Sequence, residues 1–599
     1  MTIIFMFLVV SFPWSIKQVA RLCNGNTGME FVCGDADHDG KEEIIFSGRT
    51  DEYVPCYQIW ENAGWNRYRL VHSDTGCNKR WPPGPGIFTG NFWPSDIGDP
   101  DRDGMTDVLG YNVEFRGDSI PYRRYALLVL MESPAEDSYP TRMVWYRYLE
   151  DSLGTYECDW RMLMGDLDHN GREEIIYTIP GWGCMRLLEA CGNNQYEPVW
   201  LSNVASPYDG AVGDFDLDGM PDFVTSNALV WVNVFENRGP GRYDSVWTGM
   251  TNSYNCGDAF SGRDVNQNGR PEFFVRSAQY HGIDWHFDLF MWEATGDNQY
   301  ERFHIADAWE HDIGGPYGFD SECDDIDGDG VEEVVWSLAG SVRVLKPITQ
   351  YEFQTVAYWF NDLPWHYQTA VRVHDMNHNG YGDIVVSADY ETAVLEVEAI
   401  RVISPNGWRI LQPGDTCWIR WQVFNPPRCD SVSLLLRVGD YQMDTIATGL
   451  APSDTPYAWV IPESIRAVPC WVMAIAYGPG WQYDEQDTAM WIVGIGESGE
   501  RPTTVRDARI TALPNPAPGP VMVSYDVPNA GPVEVSVIDP SGRRVATLVS
   551  GRTELGSYRL SWDRRDRQGR AVAPGVYFLR LDAAGQSRIV KLVLAGEGH

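Results

Sequence analysis

A chain of 599 residues with 44% hydrophobic and 13% aromatic content is long enough for several packed domains and too apolar to be disordered. Its formal net charge of −38 excludes a nucleic-acid partner, because such a surface releases no counterions from phosphates. Twelve cysteines without a CxxC pair weigh against zinc and redox motifs and fit an oxidising compartment, with no pairing deducible.

Residues 1–14, MTIIFMFLVVSFPW, hold an apolar run of about ten residues, the length of a signal-peptide core and too short to span a bilayer. No basic residue precedes the run and no small-x-small site follows it, so a truncated signal peptide on a chain that does not span a membrane is expected.

Beyond residue 14 a nine-residue pattern recurs seven times: Asp at position one, Asp or Asn at three and five, Gly at six, an acid at nine. In such a loop the side chains at one, three and five converge, the carbonyl at seven turns inward and the acid at nine completes a set of oxygens suited to calcium. The candidate ligands in the first three loops are Asp35, Asp37, Asp39, Lys41 and Glu43; Asp99, Asp101, Asp103, Met105 and Asp107; and Asp166, Asp168, Asn170, Arg172 and Glu174. The fourth and fifth supply Asp214, Asp216, Asp218, Met220 and Asp222, then Asp264, Asn266, Asn268, Arg270 and Glu272. The last two supply Asp325, Asp327, Asp329, Val331 and Glu333, then Asp375, Asn377, Asn379, Tyr381 and Asp383. Position seven accepts any side chain, as a carbonyl ligand would allow, and position four, equally mixed, is expected to face solvent. Asx-rich loops also make good turns without any ion, but turns do not need four acids, and packed carboxylates repel. Up to seven structural calcium ions are expected.

Successive loops begin 64, 67, 48, 50, 61 and 50 residues apart, a period that signals a propeller or array. In the first repeat Met29–Cys33 reads as a strand into the loop, Ile44–Phe46 as the strand out, and Tyr57–Trp60 and Tyr68–Val71 as a third and fourth. The seventh repeat lacks a fourth strand, and Ser15–Ala20 has the pattern to supply it and remove the open edges. With these features residues 15–398 resemble the integrin-alpha type and bacterial calcium-binding propeller repeats (FG-GAP or VCBS-like). The resemblance implies an all-β, seven-bladed β-propeller with cations along one rim and ligands on the opposite face.

Residues 399–493 hold short strands between Pro/Gly turns, among them Cys417–Trp421 and Cys470–Ala474, and are expected to form an immunoglobulin-like β-sandwich in which these two cysteines either pair or stay free. Residues 494–504 read as a linker, where Gly494–Gly499 matches GxGxxG without any βαβ context. From residue 505 on there are 13 Lys and Arg against 9 Asp and Glu, a change of charge that marks a separate module. Asn515-Pro516, Val533–Arg543, Trp562-Asp563, Ala573–Phe578 and Arg588–Leu592 resemble the C-terminal sorting domains of type IX secretion cargo and the immunoglobulin-like module of flagellar hook-capping proteins. This resemblance implies partnership with outer-membrane secretion machinery and a place outside a Gram-negative cell, secreted or on its surface.

No HExxH, GxSxG or P-loop is present, and carboxylates on a cation have lowered pKa values, unlike a general acid. Recognition of a glycan or protein is therefore expected, with Trp81, Trp182, Tyr280, His281, Trp309, Trp365 and His366 as candidate contacts on the face away from the loops. A polysaccharide lyase or hydrolase on that face, or a structural surface protein with no ligand, are the alternatives. Arg116-Gly-Asp-Ser119 is read as a chance match to an integrin-recognition tripeptide.

Overall fold

The computed structural model describes most of residues 14–594; the longest segments outside it are 24–30, 75–86, 117–122, 149–161, 312–320, 361–368, 493–508 and 514–520, with shorter connections besides. Residues 1–13, Trp81, Trp182, Trp365, His366 and Gly117–Ser119 lie outside the described residues. Among those described every regular element is a strand, and no helix long and apolar enough to cross a membrane is present.

Seven antiparallel four-stranded sheets follow one another along the chain. The first consists of Phe31–Gly34, Glu43–Arg49, Pro55–Asn62 and Tyr68–Asp74, with an acidic loop between its first two strands. The second strands read as apolar runs, Ile44-Ile-Phe46, Val334-Val-Trp336 and Ile384-Val-Val386, because both faces of each sheet are covered. Alternate residues then meet different neighbours: Ile44 and Phe46 pack with Val385 and Val394 of the seventh sheet, Ile45 with Val108 and Val129 of the second. Among the described residues such clusters join every sheet to the next, and the seventh to the first.

The seventh sheet takes its fourth strand from the start of the chain: Ile16–Cys23 runs antiparallel to Glu391–Val397, with Ile16 opposite Val397 and Cys23 opposite Glu391. Trp14, just before it, is buried between the sixth and seventh sheets and donates its backbone N–H to Val356 O at 3.0 Å.

The described chain divides into two compact units, one of Met1–Trp408, Trp418–Trp459 and Cys470–Ala489, the other of Arg409–Cys417, Val460–Pro469 and Met490–His599. In the first, Val468–Tyr477 pairs with Ser431–Val438 and with Trp481–Glu485, and Gln442–Leu450 extends the sheet. The turn Gly478-Pro-Gly480 rests on the seventh acidic loop: Trp481 N–H donates to Asn379 O at 2.8 Å, and a Cβ on Gly480 would lie 2.2 Å from that same oxygen. The second unit holds a two-sheet domain with a valine-rich core, Val521, Val523, Val533, Val535 and Val537 packed on Leu579, Leu581 and Trp562. Cys417 and Cys470 are both buried.

Candidate functional site: seven acidic loops and an aromatic ridge

The loops share a set of backbone hydrogen bonds, with exceptions in the second and third. The position-one carboxylate accepts the glycine N–H at position six, as in Gly40 to Asp35 Oδ2 at 3.0 Å and Gly330 to Asp325 Oδ2 at 2.8 Å. Position three accepts from five, as in Asp218 to Asp216 at 3.2 Å, and position five from seven, as in Met105 to Asp103 at 2.9 Å. The position-nine acid turns one oxygen to the N–H at two, as in Ala36 to Glu43 Oε2 at 2.8 Å. The second loop has Pro100 at that place, which has no N–H to give, and both oxygens of Asp107 stay buried without a partner.

Turn bonding occupies both oxygens of Asp99, Asp264, Asp325 and Asp375 but leaves oxygens of other loop acids unmet. Buried oxygens without any hydrogen-bond partner are found on Asp35 and Glu43, Asp101 and Asp107, Asp166 and Glu174, Asp214 and Asp222, Glu272, and Asp383. Within single loops, oxygens of Asp35, Asp37 and Asp39, of Asp99, Asp101 and Asp107, of Asp166, Asp168 and Glu174, and of Asp214, Asp216 and Asp222 lie within 4.8 Å of one another. Stranded buried carboxylate oxygens are costly unless a cation or proton meets them. The side chains alone favour the proton: burial first, then neighbouring carboxylates, pushes Glu43 and Asp107 up to about 9 and Glu174, Asp222 and Glu272 up to about 8. A hard cation would fit this oxygen set and reverse those shifts.

Position four faces solvent as expected, with His38, Arg102, His169, Leu217, Gln267 and His378 all exposed. It adopts a left-handed backbone in every loop, φ 55° to 62° at His38, Arg102, His169, Leu217, Gln267 and His378 and 73° at Gly328. Three of these side chains also reach the next loop: His38 to Thr106 Oγ1 at 3.0 Å, the Arg102 guanidinium over Gly171, and His378 to Gly40 O at 3.0 Å. The sixth loop has glycine there because the Tyr381 ring fills the space, 2.7 Å from where a Cβ would stand. Tyr381 is therefore a packed, buried side chain, not an indifferent occupant of position seven.

Sequence reasoning missed a second layer above the loops. The third strand of each repeat places one residue beside the position-nine acid: Glu61 opposite Glu43, Glu132 opposite Asp107, Glu236 opposite Asp222, Glu293 opposite Glu272. Glu189 and Glu396 occupy the same step, and Lys346 does so in the sixth repeat. The hairpin turn of the following repeat then reaches back. Asn194 donates to Asp101 and, at 2.6 Å, to Glu132; Asn298 donates to Asp216 and Glu236, both at 2.7 Å; Asn66 of the first repeat donates to Glu396 of the seventh at 2.7 Å. In the fifth and seventh loops the asparagine amides also turn to this glutamate, Asn266 to Glu293 at 2.9 Å and Asn377 to Glu396 at 2.7 Å. The signal was present in Trp60-Glu-Asn62, Phe235-Glu-Asn237 and Trp292-Glu293, visible once the repeats are aligned on their third strands.

At the end of the fifth sheet away from its loop, three candidate contacts meet. Strands Glu272–His281, Asp284–Gly296 and Gln299–His311 carry Tyr280 and Trp309, 57% and 48% exposed. Tyr280 stands 5.0 Å from Trp285 between ring centroids, and His281 and His286 stand 5.1 and 4.5 Å from Trp309. Asp288 and Asp307 flank His286 at 3.8 and 3.7 Å.

Residues 518–587 match the FlgD Ig-like domain family. No curated protein sequence matches the chain. Among solved structures, one of BBS1N in complex with ARL6DN, soaked with lead, aligns at 10% identity over 65% of this chain and 98% of that chain, with a TM-score of 0.36. The fibronectin(III)-like modules of Clostridium thermocellum CbhA align at 15% identity over 33% of this chain and 95% of that chain, with a TM-score of 0.13. Both scores are too low to bear on the fold.

Proposed function

We propose that the chain is a calcium-stabilised, seven-bladed β-propeller carrying two β-sandwich modules, and that it recognises a glycan or protein outside the cell. The buried, partnerless oxygens at positions one and nine of the loops support the calcium, since turn bonding does not account for them. Cyclic packing of the sheets and the pairing of Ile16–Cys23 with Glu391–Val397 support the propeller, a fold that closes on itself and so leaves no sheet edge open. Calcium here is structural; its chemistry is to neutralise the carboxylates.

The observation that carries recognition is the ridge of exposed Tyr280, His281 and Trp309 backed by half-buried Trp285 and His286, rings that present stacking faces beside carboxylates able to accept hydroxyl protons. The FlgD Ig-like match covers the C-terminal domain, which in this reading is the module that engages export machinery and holds the protein at the surface. The test is a thermal melt of the full chain with calcium, with chelator, and with calcium plus a glycan panel. The expected result is a steep fall on chelation, a rise with one glycan class, and loss of that rise in Trp309→Ala. An unchanged melt on chelation removes the calcium reading, and product release in the same mixture replaces recognition with catalysis.

A further inference from the structure

One third-strand residue sets the sixth repeat apart from its neighbours. Where the third strands of the other repeats carry glutamate beside the position-nine acid, it carries Lys346, whose Nζ donates to Glu333 Oε1 at 2.6 Å, Asp329 Oδ2 at 2.8 Å and Asp327 Oδ2 at 3.0 Å. All three ammonium protons are thus directed at loop carboxylates, from positions three, five and nine. The Trp14 ring covers the ammonium from the other side, its centroid 5.1 Å away. The side chain is 20% exposed, so the charge works in a partly desolvated place. A second observation agrees: among the described residues this is the one loop with no buried carboxylate oxygen lacking a partner. Lys41 in the first loop makes the contrast. It is 43% exposed, touches Asp39 and Glu61 from outside, and leaves the inner oxygens of Asp35 and Glu43 without a partner.

We propose that Lys346 is a resident cation that takes the metal's place in the sixth repeat, so that this loop closes without an ion and the chain holds fewer ions than it has loops. The proposal rests on the calcium reading above. It gives the sixth repeat, the one packed against Trp14 and next to the repeat that supports the Gly478-Pro-Gly480 turn, a fixed geometry at every calcium concentration.

The test is a count of bound calcium per full-length chain by equilibrium dialysis with elemental analysis. The double variant Asp327→Asn/Asp329→Asn is expected to keep the wild-type count, while Asp37→Asn/Asp39→Asn in the first loop loses one ion. Lys346→Glu, which restores the glutamate of the other repeats, is expected to gain one. Lys346→Met is the check against misfolding: its melt in chelator falls below wild type and calcium restores it. Loss of one ion in Asp327→Asn/Asp329→Asn, or no gain in Lys346→Glu with a wild-type circular dichroism spectrum, overturns the lysine's role and leaves the calcium reading standing. A wild-type chain that binds no calcium overturns both.

Discussion

A single loop position shows how much one atom decides. At position four the left-handed backbone tolerates histidine, arginine, leucine and glutamine because each of those side chains stands in solvent. At Gly328 it cannot, since Tyr381 occupies that space beneath the Gly478-Pro-Gly480 turn. Gly328→Ala adds both a strained φ and a ring clash, and is expected to cost about 2 kcal/mol, against under about 1 kcal/mol for His38→Ala at the equivalent place. Denaturant midpoints in saturating calcium check the pair. The acidic residues of the loops were legible as a group because five positions recur at fixed spacing. Glu61, Asn194, Asn298 and Lys346 were not, because they approach from other strands and other repeats, at separations that vary with connection length.

The strands were legible for a related reason: runs such as Ile44-Ile-Phe46 stand between acids and turns, and period two vanishes when both faces are buried. What the pattern could not give was the extent of Glu272–His281, Asp284–Gly296 and Gln299–His311, which stay paired well beyond the five-residue first strand of their sheet and carry the ridge. The sheet's fourth strand sets a prediction of its own. Deleting residues 1–23 opens the edge of Glu391–Val397 and removes Trp14 from the core, so the truncated chain is expected to self-associate in size-exclusion chromatography. The second strands set another, through the acids at their head. Without calcium these carboxyls titrate at about 8 to 9 in the folded protein against an ordinary 4.5 for glutamate, so the native state holds protons that the unfolded chain has lost. Their stabilisation is full below that ordinary value and is lost as pH rises through 8 to 9. In chelator the melting temperature should fall steadily from pH 5 to pH 9, and saturating calcium should flatten the curve; a flat curve in chelator contradicts the cause assigned to the stranded oxygens.

Across the whole molecule the acidic loops and the two-unit division bear on each other. All the loops lie in the unit that includes Met1–Trp408, and none in the unit that ends at His599. Calorimetry of the intact chain is therefore expected to resolve two transitions, of which chelation moves one and leaves the valine-cored C-terminal transition in place. A single transition that moves as one would mean the units unfold together. The C-terminal domain was readable from its own motifs, whereas the ridge was half readable: Tyr280, His281 and Trp309 were candidates among several exposed rings, but their meeting at one end of one sheet is a tertiary fact that no local window contains.

The back-reaching hairpins have a further consequence for how such a chain can change over generations. Asn194 completes the surroundings of the second loop from the third repeat, and Asn66 those of the seventh loop from the first. The heritable module is then not the sheet but the stretch from one acidic loop through the next hairpin turn. A duplication or swap cut at sheet boundaries splits two such modules, whereas one cut just past Asn66, Asn194 or Asn298 transfers each whole.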